Sequence, residues 1–140
     1  MTDGDPTDRA RHGGLHILLV EDDENLADVE SALLESRGHT VRAVADGLSA
    51  LAAAREGRYD VVLCDLTLGG ELSGEGVADS LRAVDYSPRP IMVALSGRSR
   101  AEPGVATDAF AGVLSKPLRM ADFDELLRRV HDVRRRRTGS

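Results

Sequence analysis

The sequence predicts an α/β protein, a doubly wound five-stranded parallel sheet in one domain. Three observations carry this. The apolar runs "LHILLV" (15–20), "YDVVLCDL" (59–66) and "PIMVALS" (90–96) read as strands buried on both faces. Stretches with helical spacing alternate with them, which calls for parallel strands with helices on both sides. The length, 140 residues, suits a single core.

The elements follow in order. Residues 1–14 are polar, rich in Asp, Thr and Gly, and predict a flexible tail. After the strand at 15–20, "DENLADVESALLESRGH" (23–39) sets Leu26, Val29, Leu33 and Leu34 at helical spacing, and Gly38 is placed to end that helix. "TVRAVA" (40–45) alternates as a strand, and "DGLSALAAAREG" (46–57) is helix-prone and stops at Gly57. The strand at 59–66 leads to an amphipathic, Ala-rich helix at 74–84, and the strand at 90–96 follows. The segment 97–110 should hold a fourth helix. Pro103 and Gly104 lie inside it, and proline removes a donor and clashes in a helix interior, so a short or irregular helix is expected there. "GVLSK" (112–116) is a short strand. In 120–136, Phe123, Leu126, Leu127, Val130 and Val133 mark the apolar face of a long helix, and residues 134–140 read as a basic tail.

Composition excludes several classes. No apolar run approaches the roughly 18 residues of a membrane span, and the N-terminal stretch lacks the apolar core of a secretory signal. A single cysteine, Cys64, offers no disulfide framework, so a reducing cytoplasm is expected. Histidines 12, 16, 39 and 131 are scattered and do not suggest a zinc site. The net charge of −6 argues against direct nucleic-acid binding. The run Arg134–Arg137 is read as a solvated helix end that favours the helix dipole.

In an open parallel sheet, ligands bind beyond the carboxyl ends of the strands. There this sequence writes Glu21-Asp22-Asp23-Glu24, Asp65, Ser96 and Lys116. Gathered carboxylates repel unless a cation joins them, and oxygen-only donors favour a hard ion, Mg²⁺ first. Such an ion lowers the repulsion between a carboxylate nucleophile and a phosphoryl donor, and the product of attack is an aspartyl phosphate. Lys116 is the one lysine among 18 Lys and Arg residues. A site needing one compact ammonium between an aspartate and a phosphoryl oxygen accepts Lys where the planar Arg fork does not fit. Within the acidic run, Asp22 is expected to serve a metal and Asp23 or Glu24 to start the helix. Cys64 is read as core packing.

"ILLVEDDENL", "VVLCDLTL", "MVALSG" and "LSKPL" resemble the receiver domain of two-component response regulators, over about Leu15 to Val133. The resemblance implies a (βα)₅ flavodoxin-like fold, phosphorylated on aspartate by a partner histidine kinase or histidine phosphotransfer protein with Mg²⁺, and a downstream protein target. By position it makes Asp65 the phospho-acceptor. Glu21 and Asp22 become the acidic pair that holds the metal, completed by Asp65 and the backbone carbonyl of Thr67. Ser96 becomes the switch hydroxyl and Lys116 the motif lysine, with a cis Lys116–Pro117 bond. Thr67 and Arg98 would stand near the phosphoryl group. The expected chemistry is confined to the domain's own phosphorylation and dephosphorylation. Dimerisation is left open. With no room for an output domain after the last helix, a stand-alone receiver or one excised from a larger regulator is expected.

Three departures stand out. Val113 occupies the place, three before the lysine, where the family usually has an aromatic or His. The loop "LGGELSG" (68–74) is about one residue longer than is common and has Gly69 for proline. The fourth-helix region carries Pro103-Gly104. These keep a second reading in view, an interaction module that does not use phosphorylation. A phosphatase or hydrolase using an aspartyl phosphate would usually need a second acid two residues past the nucleophile, where Thr67 stands.

Overall fold

A computed structural model describes residues 14–66, 76–77, 79–80, 90–97 and 110–138, with side chains described up to residue 130. Its elements are β1 (His16–Val20), α1 (Glu24–Ser36), β2 (Thr40–Val44), α2 (Gly47–Glu56), β3 (Val61–Asp65), β4 (Ile91–Ser96), β5 (Gly112–Ser115) and a C-terminal helix, α3 (Met120–Thr138). Gly76, Val77, Asp79 and Ser80 are helical within the expected 74–84 helix. The loop 68–74 and nearly all of 97–110, including Pro103-Gly104, lie outside the described residues.

All strand pairs are parallel, in the order β2-β1-β3-β4-β5. The chain starts in β1, moves outward to β2, and returns past β1 to β3. The direction of winding therefore reverses between β1 and β3, and the crevice beyond their carboxyl ends is the natural ligand position of such a sheet.

Strand side chains alternate between faces. Ile17, Leu19, Val61, Leu63, Ile91, Val93, Leu95 and Leu114 form one core with α1 and α3, supplied by Ala27 and Leu34 and by Phe123, Leu126 and Leu127. Leu18, Val20, Val62, Cys64, Met92 and Ala94 form the other core, against Ala50, Ala53 and Ala54 of α2 and Val77. β1, β3 and β4 are therefore apolar at nearly every position, as strands covered on both faces must be.

Local chemistry sets the helix ends. Asp23 caps α1, its side chain accepting from the Asn25 and Leu26 N–H groups at 3.0 and 3.2 Å. Asp46 caps α2 through the Ser49 N–H at 2.7 Å. Gly38 follows α1 with φ +88°, a left-handed conformation that glycine adopts without a Cβ penalty.

One sequence expectation is corrected here. Val29, expected on the inner face of α1, is 57% exposed. The buried stripe runs instead through Ala27, Glu30 and Leu34, spaced three and four residues apart, and Val29 lies well round the helix from it. The first helix therefore sets a carboxylate where the apolar pattern calls for a hydrophobe.

Candidate functional site

Beyond the carboxyl ends of β1, β3 and β5, strand alternation places Glu21, Asp65 and Lys116 on one face. Asp65 continues the series Val61, Leu63 in β3, the series facing α1 and α3. The β1 ladder extends one residue, with the Glu21 N–H donating to the Val44 carbonyl at 3.0 Å, so Glu21 continues the series Ile17, Leu19. The Lys116 N–H donates to the Ser96 carbonyl at 2.8 Å, which extends β5 and puts Lys116 in the series of Leu114.

The three side chains meet. The Lys116 ammonium lies 2.8 Å from Glu21 Oε2 and 2.9 Å from Asp65 Oδ2. Glu21 is 2% and Asp65 1% exposed, so this is an ion triad removed from water on its carboxylate side. Glu21 Oε1 also accepts from the Asp23 N–H at 3.1 Å. Burial raises the Glu21 carboxyl above its ordinary range, opposed by Lys116 and the Asp23 N–H. Burial pulls the Lys116 ammonium down, but its hydrogen bonds to Glu21 and Asp65 outweigh that, and the net direction is up. The ammonium is held charged.

Asp22 completes the acidic set from the solvent side. Glu21, Asp22 and Asp65 each offer a carboxylate oxygen within 4.8 Å of the others. Two donors are buried and one is exposed, all are oxygen, and that fits a hard cation approaching from solvent. Ser96 ends β4, 4% exposed, paired in register with Ser115. The Lys116–Pro117 bond is cis, as the sequence resemblance implies. Thr67 and Arg98 lie outside the described residues. Val113 is half-buried in β5, packed on the α2-side core.

Cys64, one residue before Asp65, is fully buried, and burial first, then Asp65 and Glu21, pushes its thiol up to about 12; it is a core side chain. Glu30 is the residue that sequence reasoning missed. It is 2% exposed on the α1 stripe, and among the described residues neither carboxylate oxygen has a hydrogen-bond partner. Its signal in the sequence was its spacing, three residues after Ala27 and four before Leu34.

Comparison with known proteins shows the family. A family model described as the response regulator receiver domain matches residues 17–130. The transcriptional regulatory protein TcrA of Mycobacterium tuberculosis is 35% identical over 133 residues, covering 90% of this chain and 48% of that protein. The sensor histidine kinase AruS of Pseudomonas aeruginosa is 37% identical over 123 residues, covering 85% of this chain and 12% of the kinase. The chain thus spans half or less of the length of these relatives. Among solved structures, a CheY-like receiver domain from Methylobacillus flagellatus superposes with a TM-score of 0.75 at 31% identity, covering 83% of this chain and 98% of that one. The receiver domain of a sensor histidine kinase from Pseudomonas aeruginosa PAO1 superposes with a TM-score of 0.71 at 33% identity, covering 84% of this chain and 97% of that one. That structure holds a magnesium ion coordinated in its active-site cleft.

Proposed function

This chain belongs to the response regulator receiver domains, and from that premise we propose that it accepts a phosphoryl group on Asp65 in a Mg²⁺-dependent reaction with a histidine kinase or histidine phosphotransfer protein. The single observation that carries the proposal is the Lys116 ammonium held at 2.9 Å from the Asp65 carboxylate and 2.8 Å from Glu21. A buried ion pair is weak evidence for stability, since desolvation offsets much of its attraction. A chemical task gives the pairing its reason.

The metal would be held by Glu21, Asp22 and Asp65, with the Thr67 carbonyl as a further donor. When bound it supplies charge neutralisation between the carboxylates and an incoming phosphoryl group. The protein's own groups do the rest. An Asp65 carboxylate oxygen attacks the phosphorus of a phosphohistidine, forming a C–O–P linkage. The P–N bond breaks, its electron pair goes to the imidazole, and that ring takes a proton. Lys116, already against Asp65 Oδ2, stays within reach of the new phosphoryl oxygens and offsets their charge. Ser96, at the neighbouring strand end, supplies a hydroxyl that follows the phosphoryl group, biasing a pre-existing equilibrium of the partner-binding surface. The signalling unit is residues 15–133, acting in the cytoplasm on a downstream protein. Among the described residues no helix is long and apolar enough to cross a membrane.

The test is a small phosphodonor with Mg²⁺, read by intact-protein mass spectrometry. One adduct of about 80 Da is expected, absent in Asp65→Asn and absent when the metal is chelated. No adduct, under conditions in which another receiver domain reacts, sinks the proposal. Unchanged partner affinity with and without phosphodonor would instead favour an interaction module that does not use phosphate.

A further inference from the structure

Glu30 is an acid with no hydrogen-bond partner among the described residues. It sits mid-helix in α1 on the stripe facing the sheet, between Ala27 and Leu34, and is 2% exposed. Neither oxygen has a hydrogen bond among the described residues, although a buried unpartnered carboxylate is among the costlier arrangements a fold can contain. A leucine would fill such a position without that cost. The face it looks onto is the one from which Glu21, Asp65 and Lys116 project beyond the strand ends. Glu30 lies seven residues, about two turns, into the helix that Asp23 caps, and Ala27 and Leu34 on either side of it pack on the same face of the sheet as the series that ends in Glu21 after β1, Asp65 in β3 and Lys116 after β5.

We propose that Glu30 is a proton-linked positioning residue beneath the acidic pocket: it holds a proton while the pocket's negative charge is uncompensated and releases it when a divalent cation enters. The step is an acid dissociation. The Glu30 carboxyl becomes carboxylate, and the proton passes to bulk water. The inference rests on the divalent-cation site proposed above and deepens it, because it makes the affinity of that site depend on pH through a residue that is not a ligand. Burial first, and then the negative charges of Glu21, Asp65 and Asp23 against the positive charge of Lys116, raise this carboxyl to about 7, within the physiological range. A cation added among those charges lowers it again, and by reciprocity its ionisation tightens the cation.

The experiment is Mg²⁺ titration followed by amide NMR at about pH 6 and about pH 8, for the intact chain and for Glu30→Gln. The two proteins differ only at position 30, so the difference between them isolates Glu30. The Mg²⁺ affinity of the unsubstituted chain should rise about fivefold more between the two pH values than that of the variant. The same rise in both overturns the inference and leaves the phospho-acceptor reading standing. No Mg²⁺ binding by either protein at either pH overturns both. A second measurement needs no variant: the carboxyl carbon shift of Glu30, titrated with and without saturating Mg²⁺. Its midpoint should fall by roughly one pH unit on metal addition, and an unmoved midpoint overturns the proposal.

Discussion

The Lys116 ammonium stands 2.9 Å from Asp65 Oδ2, and that carboxylate is almost wholly removed from solvent. The same nitrogen reaches Glu21, so one cation compensates two buried anions. Lys116→Met should therefore remove the ammonium that both carboxylates contact and cost about 3 kcal/mol near neutral pH. Added Mg²⁺ should restore part of the loss, because an ion bound only by the folded state stabilises it by mass action. Urea denaturation with and without Mg²⁺ measures both effects. Equal stability of the two proteins without metal would show that the triad carries little of the local energetics.

Asp22 occupies the opposite regime. It is exposed, and it shares the acidic cluster with two buried residues. Asp22→Ala should change stability by less than about 0.5 kcal/mol without metal, as surface substitutions usually do. The stabilisation by Mg²⁺ should largely vanish. A thermal melt at several Mg²⁺ concentrations tests this, and an unchanged metal-induced shift would remove Asp22 from the ligand set.

Glu30 makes stability depend on pH in a stated direction. Its carboxyl is raised from 4.5 to about 7 in the folded chain. Below the unfolded value both states are protonated, and the folded state is at its best. Stability is then lost as pH rises through the folded value, by about 3 kcal/mol. Glu30→Leu should therefore stabilise the protein, and by more at about pH 8 than at about pH 5. Denaturant midpoints at the two pH values measure it. A variant less stable than the parent at the higher pH would mean that Glu30 has a partner that offsets its burial.

His39 works the other way. Its Nδ1 accepts from the buried Leu15 N–H at 3.1 Å, and its ring meets Phe123 edge-on, with centroids 6.0 Å apart. Burial lowers the imidazole below its ordinary 6.5, against the pull of Asp124. The neutral ring's contribution is full above the unfolded value and is lost as pH falls through the folded one. The two slopes partly cancel in the parent, and in Glu30→Leu the histidine slope should stand alone. His39→Phe should remove it and cost about 1–3 kcal/mol for the orphaned Leu15 N–H. An acid slope that survives His39→Phe in the Glu30→Leu background would refute the assignment.

The packing of α3 on β5 allows a steric test. A Cβ at Gly112 would come within 2.5 Å of Leu126 Cδ1, the end of a side chain buried in the core. Gly112→Ala can be absorbed by a rotation of Leu126, whereas Gly112→Val should cost about 1–3 kcal/mol. Equal melting of the two variants would show that the helix moves as a body.

The parts of the fold with strong local signals were readable before any coordinates. Doubly buried strands such as "VVLCD" have no polar alternation to confuse them, and the acidic run after β1 marked the start of α1 to within Asp23 or Glu24, of which Asp23 is the cap. The site was readable because topology alone brings strand ends together, so Glu21, Asp65 and Lys116 needed only their place after each apolar run. Side-chain rotation about a helix axis was less legible. Val29 and Glu30 are neighbours, and hydrophobicity alone assigned the inner face to Val29. The sheet decides by the angle at which α1 docks, a long-range property. Glu30 breaks the apolar pattern, and a break of that kind marks where a sequence is answering to something besides stability.

The most direct test of the central claim is chemical trapping of the acceptor. An aspartyl phosphate is an acyl phosphate, and borohydride reduces it to the alcohol, turning that aspartate into homoserine. After treatment with phosphodonor and Mg²⁺, then borohydride, peptide mass spectrometry should find homoserine at position 65 and leave Asp22 and Asp23 as aspartate. Homoserine elsewhere, with residue 65 intact, would contradict the account.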